Sequence, residues 1–203
     1  MSNATSRNIP NWLRCGNISR PTWQNCNKRQ TRNVQRETGC ERTISHDHDL
    51  RFTPYLSRLV GMKAMILAAG LGTRLRPLTD TTPKPLLPVA GTPMIVWNLL
   101  LLKRHGIRDV IINLHHLGTM ISQALGDGRA LGMRIMYSHE PVILGTGGGI
   151  KQAEPHFNGE PVLILNGDTL FELDLGALMT FHRERQAAAT LVLRRDPEAA
   201  RWG

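Results

Sequence analysis

After Cys40 the chain contains no cysteine. Its three, Cys15, Cys26 and Cys40, stand too far apart for the short Cys-x-x-Cys spacing of zinc sites and redox motifs, and their odd count carries no further information. No run approaches the ~20 apolar residues that cross a bilayer. The N-terminus shows neither the apolar core nor the cleavage site of a secretory signal, so the expected location is cytoplasmic and no membrane partner is implied. A basic footprint for nucleic acid is also missing from most of the chain, although the formal charge is +9. Residues 1–61 carry ten Lys and Arg against four Asp and Glu, whereas residues 62–203 carry fifteen against twelve. The basicity therefore belongs mainly to the leader.

That leader is rich in Asn, Arg, Thr, Ser and Gln and has no sustained apolar period. Such a segment cannot bury enough apolar area to offset the entropy of ordering it, and little stable structure is expected in 1–61. The run His46-Asp47-His48-Asp49 reads as solvated polar sequence before it reads as a metal cluster, and Trp12 and Trp23 among basic residues do not by themselves make an RNA or lipid contact. Met62 offers an alternative start, with 1–61 as upstream sequence.

From Met62 onward short apolar runs alternate with helical patterns, the rhythm of an α/β domain with a mostly parallel sheet. Strands are expected at 63–67, 109–114, 133–137, 161–165 and 189–193, the fourth as a central strand because it is an unbroken apolar run. Helices are expected from Pro93 to Gly106, through Met120, Ile121 and Leu125, after Leu144 as far as Pro155, and through Leu175, Leu178, Met179 and Phe181.

The most informative stretch follows the first strand: Leu67-Ala68-Ala69-Gly70-Leu71-Gly72-Thr73-Arg74-Leu75-Arg76-Pro77-Leu78-Thr79, then Pro83-Lys84-Pro85. Glycines beyond the carboxyl end of a buried strand let backbone N–H groups approach phosphate oxygens. Arg74 supplies a planar fork and Lys84 a compact charge, the latter held between two prolines. Two common phosphate motifs fail to fit. A dinucleotide turn wants glycine where Leu75 stands, and the Gly-Lys-Ser/Thr of a Walker loop is absent. Further on, Asn166-Gly167-Asp168 leaves an apolar strand, where the aspartate reads as a metal ligand or as a turn residue. Gly145-Thr146-Gly147-Gly148-Gly149 is a flexible loop, either lying along a ligand or acting as a hinge. Asn113, ending its strand, either reaches a ligand or caps the next helix. His115 and His116 have no partner at metal spacing and read as structural.

Taken in order, these residues resemble the Leu-Ala-Ala-Gly-x-Gly-Thr-Arg-Leu-x-Pro-Leu-Thr…Pro-Lys-Pro signature of the sugar-1-phosphate nucleotidyltransferases, among them mannose-1-phosphate guanylyltransferases and N-acetylmuramate-1-phosphate uridylyltransferases. The resemblance implies a Rossmann-like nucleotidyltransferase domain with a mostly parallel mixed sheet over 62–203. It implies a sugar 1-phosphate and a nucleoside triphosphate, GTP or UTP, as substrates, with Mg²⁺ as cofactor. Arg74 and Lys84 would be catalytic and Asp168 would hold the metal. Ala68, Ala69, Gly70, Gly72, Thr73, Asn113, Gly145, Thr146, Gly147 and Gly148 would bind the nucleotide. Members of that family continue beyond the point where this sequence stops, so a truncated domain of doubtful activity is expected. The alternatives are a non-catalytic nucleotide-binding regulator and a cytidylyl- or molybdopterin guanylyltransferase. Pro77-Leu78-Thr79 with Pro83-Lys84-Pro85 favours the sugar branch over the latter.

Overall fold

The computed structural model describes residues 59, 61–193 and 195–198. The three cysteines, Trp12, Trp23 and the His46–Asp49 run lie outside the described residues.

Four strands form one sheet: β1 (Lys63–Leu67), β4 (Asp109–Leu114), β5 (Arg134–His139) and β6 (Val162–Asn166), in the order β5-β4-β1-β6 and all parallel. A two-residue ribbon, β2 (Pro88–Val89) with β3 (Thr92–Pro93), stands apart. The helices are α1 (Leu78–Thr81), α2 (Met94–Arg104), α3 (Gly118–Leu125), α4 (Gly145–Ala153) and α5 (Leu175–Glu184).

The central strands β1 and β4 form because their apolar residues are buried on both faces, as parallel sheets require, whereas β6 at the edge leaves Ile164 exposed. Ala64 and Ile66 of β1, with Val110, Ile112 and Leu114 of β4, face a core completed by Ile95, Leu99 and Leu102 of α2, Ile121 of α3, and Leu175 and Met179 of α5. Met65 and Ile111 face the other way, against Ala153 of α4 and Phe157. The period of α2 explains its side of this contact, since positions 95, 99 and 102 fall on one helical stripe. Each such side chain contributes about 1.5–3 kcal/mol when fully buried. Pro93 precedes its first turn, Lys103 and Arg104 suit the negative end of its dipole, and Gly106 ends it at φ 82°.

This arrangement decides where a ligand can go. From β1 the chain moves outward through α2 to β4 and through α3 to β5, then crosses on the opposite face through α4 and returns to β6, beside β1. Connections leaving neighbouring strands in opposite directions open a crevice at their carboxyl ends. Leu67 is in register with Asn113 on one side and Asn166 on the other, so β1, β4 and β6 end at one level beneath it.

Several expectations change. The strand expected at 161–165 is β6, shifted by one residue, and it lies at the edge of the four described strands because β1 and β4 occupy the centre. The third strand runs on to His139. Residues 189–193 form no strand, and Leu191 and Leu193 are about 80% exposed (78% and 82%). β-branched and apolar composition makes a strand only where a sheet edge accepts it. The helix expected between Leu144 and Pro155 is present as α4, and the glycine run at 145–149 is its first half rather than the flexible loop also expected there. Leu59, inside the leader by sequence pattern, is only 1% exposed and packs into the main core, with the Met62 N–H donating to its carbonyl.

Candidate active site

The turn after β1 is shaped by its second glycine. Gly72 adopts φ 65°, a left-handed conformation that side chains resist, and a Cβ there would come within 3.0 Å of Thr79 Cγ2. Its carbonyl accepts from the Thr79 hydroxyl at 2.8 Å and from the Leu75 N–H at 3.0 Å. These bonds start a short 3₁₀ turn, Thr73–Leu75, that carries Arg74. Gly70 differs: its φ is not positive and a Cβ would meet nothing within 4 Å. No contact within the chain explains why it is glycine, and it lines the cavity described below.

A second 3₁₀ turn, Lys84–Leu86, follows the extended Pro83 (φ −64°, ψ 139°). From it the Lys84 ammonium donates to Asp168 Oδ2 at 2.6 Å, joining residues 84 positions apart. Asp168 is delivered by β6 through a tight exit. The Gly167 N–H donates to the Leu67 carbonyl at 2.8 Å, and a Cβ at 167 would lie 2.8 Å from that same oxygen. Asn98 of α2, 2% exposed, donates to the Asn166 carbonyl at 3.2 Å and steadies the strand end. The Lys84–Asp168 pair itself is partly open to solvent, with side chains 30% and 42% exposed, so it contributes about 1 kcal/mol or less and can exchange for ligand contacts.

A cavity of about 390 Å³ lies over the strand ends. Its walls include Ala68, Ala69, Gly70, Gly72, Thr73 and Arg74 from the turn, Lys84 and Asp168 from the ion pair, Asn113 from β4, and Gly145 and Thr146 from α4. Gly147 and Gly148 are not part of the wall. Gly147 lies exposed and Gly148 half-buried along α4, and a Cβ on Gly148 would meet Leu144 Cβ at 2.7 Å. Ala68 contributes no free N–H, because that group donates to Asn113 Oδ1 at 2.8 Å. Both polar atoms of the Asn113 side chain are thereby engaged, Nδ2 donating to Glu140 Oε1 at 2.7 Å, and it does not cap α3, whose first turn has no side-chain cap. His115 Nδ1 sits 2.8 Å from the Glu140 carbonyl, and His116 Nε2 sits 3.4 Å from that of Thr79.

Sequence pattern missed Glu140, a wall residue only 4% exposed. The available signal was a single acidic residue between an apolar strand and a glycine run. Its meaning depends on Asn113, 27 positions away. Two apolar side chains also line the cavity, Leu75 (38% exposed) and Ile143 (50%).

A cavity lined by Arg74 and Lys84, by a glycine-rich backbone turn and by two carboxylates, Asp168 partly exposed and Glu140 buried, suits a polyphosphate. Comparison with known proteins agrees in kind. The chain is 57% identical over 117 residues to the N-acetylmuramate alpha-1-phosphate uridylyltransferase of Neisseria meningitidis serogroup B, covering 57% of this chain and 51% of that protein. It is 42% identical over 138 residues to a mannose-1-phosphate guanylyltransferase of Mycobacterium tuberculosis, covering 67% and 38%. Among solved structures, HddC from Yersinia pseudotuberculosis, complexed with GMP-PN, matches with a TM-score of 0.55 and 29% identity over 60% of this chain and 54% of that one. The chain thus spans about half, or less, of the length of the relatives it matches. Residues 63–203 match the model of the nucleotidyl transferase family, and the chain belongs to that family.

Proposed function

We propose that this chain binds a nucleoside triphosphate over the ends of β1, β4 and β6 and supports transfer of its nucleoside monophosphate to a sugar 1-phosphate. A phosphate oxygen of the sugar 1-phosphate attacks the α-phosphorus in line. The new O–P bond forms as the bond to the β-phosphate bridge breaks, and pyrophosphate leaves with that electron pair. The observation that carries this reading is the convergence of Arg74, Lys84 and Asp168 on one cavity with the glycine-rich turn.

Phosphoryl transfer calls for positioning and neutralisation of charge more than for proton chemistry. Arg74 is placed to hold phosphate oxygens with its fork, and Lys84 to follow charge toward the leaving pyrophosphate. Gly70 lets the backbone of the turn approach the nucleotide with no side chain between. The donor set also fits Mg²⁺, which is commonly held by one or two carboxylates and the substrate's own phosphates: Asp168 is a partly exposed hard oxygen donor lining the same cavity as Arg74 and Lys84. When bound there, Mg²⁺ would supply further neutralisation of the triphosphate. Identity of 57% to a uridylyltransferase favours UTP over GTP.

A thermal-shift panel of nucleoside triphosphates with Mg²⁺ tests the binding step, since a ligand selective for the native state raises the melting temperature by mass action. Selective stabilisation by UTP is the expected result, and no stabilisation by any triphosphate would overturn the reading. Pyrophosphate release on adding a sugar 1-phosphate tests the transfer. Binding without release would leave a nucleotide-binding regulator instead of a catalyst.

A further inference from the structure

The site holds a buried carboxylate that the proposed transfer does not use. Glu140 follows β5, is 4% exposed, and makes no ion pair among the described residues. A buried carboxylate is costly unless hydrogen bonds compensate it. Here Oε1 accepts from Asn113 Nδ2 at 2.7 Å and Oε2 accepts from the Leu144 N–H at 3.0 Å. Asn113 Oδ1 in turn accepts from the Ala68 N–H at 2.8 Å. The orientation of the amide is unambiguous, because a backbone donor on one side and a carboxylate on the other allow only one arrangement. Gly149 closes the arrangement from α4: a Cβ there would stand 2.6 Å from Glu140 Oε1 and 2.8 Å from Asn113 Nδ2.

We propose that Glu140 is a positioning residue. Through Asn113 it fixes where the glycine-rich turn leaves β1, and through the Leu144 N–H it fixes where α4 begins. One buried carboxylate therefore sets the spacing of the two walls between which the ligand sits. The consequence for binding rests on the nucleotide reading given above, whereas the hold itself does not.

Exchanging donor and acceptor across the pair tests this. Glu140→Gln alone turns an amide N–H toward the Leu144 N–H or toward Asn113 Nδ2, and donors face donors. Asn113→Asp alone sets two carboxylates against each other. The double variant restores every bond: the carboxylate at 113 accepts from the Ala68 N–H and from the new amide at 140, whose oxygen still accepts from Leu144. Two readouts apply. Amide hydrogen exchange at Ala68 and Leu144 without ligand reports the hold, and calorimetric affinities for Mg²⁺ with UTP and with inorganic tripolyphosphate report its consequence.

Each single variant is expected to speed exchange at both amides and to weaken both ligands about tenfold, and the double variant to recover to within about threefold of the parent. Unchanged exchange in the single variants would overturn the proposal. So would a loss confined to UTP, which would make Glu140 a direct contact to the nucleoside, or losses that multiply in the double variant. Should a single variant fail to fold, recovery of a folded double variant supports the proposal and its failure counts against it. If the parent chain binds neither ligand, the nucleotide reading falls while the exchange measurements still decide the role of Glu140.

Discussion

Gly70 and Gly167 are glycines for different reasons, and substitution separates them. At Gly70 a methyl group would enter the cavity without touching the protein. Gly70→Ala is expected to keep or slightly raise the melting temperature while weakening nucleoside triphosphate binding about tenfold, ~1.4 kcal/mol, by calorimetry. At Gly167 the methyl group would meet the Leu67 carbonyl 2.8 Å away. Gly167→Ala is expected to cost about 1–3 kcal/mol of stability in denaturant titration, as overpacking does. Lys84 gives the opposite profile to Gly167. Its bond to Asp168 is partly exposed, so Lys84→Ala should change stability by about 1 kcal/mol at most. Loss of one fixed cation beside the transferring phosphoryl should lower the rate of pyrophosphate release about 10²–10³-fold. Normal turnover in that variant would remove Lys84 from the mechanism.

Among the elements, α4 is the least self-sufficient. Its sequence, Gly-Thr-Gly-Gly-Gly-Ile-Lys-Gln-Ala, places four glycines in its first five positions, each about 1 kcal/mol poorer than alanine in a helix interior. What holds it is tertiary: the Leu144 N–H on Glu140, and Gln152 donating to Ser138 Oγ at 3.1 Å and to the His139 carbonyl at 2.7 Å. Its first turn should therefore exchange amide hydrogens faster than α2 does, and should slow on nucleotide binding. Equal protection in both helices without ligand would contradict this. The end of α3 depends on a different bond, from the Tyr137 hydroxyl to the Gly126 carbonyl at 2.6 Å. Burial, reinforced by the Asp127 carboxylate, pushes the Tyr137 phenol up from 10.0 to about 12. The fold thus favours the protonated form. The stability it contributes is complete below pH 10 and is lost as pH rises toward 12. Chemical denaturation between pH 9 and 12 should show that loss, and Tyr137→Phe should remove the part of it due to this group.

At the scale of the molecule, the first core contact made by the described residues is Leu59, three positions before the apparent start of the domain. A chain beginning at Met62 should be about 2–5 kcal/mol less stable than one beginning at residue 58, the range for removing a buried leucine. Equal melting temperatures would show that Leu59 is dispensable. The α/β class, β1, α2, β4 and α3 were legible in the sequence because their signals are local: an apolar run, a helical stripe, a stop at glycine. The glycine-rich turn after β1 was legible too, since Gly72, Thr73 and Arg74 are neighbours in the chain. Other features were not. The run at 189–193 has strand composition yet pairs with neither edge of the described sheet, and the place of β6 at the edge follows from the order of crossovers, which no single segment encodes. The meeting of Lys84 with Asp168, and the Ala68–Asn113–Glu140 chain, depend on the register of strands far apart in sequence. The sequence by itself determined which groups are available and which short segments carry them, because those properties are set by composition and local periodicity. Only the tertiary structure decided which groups meet, because parallel pairing of β1 with β4 and β6 brings three distant strand ends to one level.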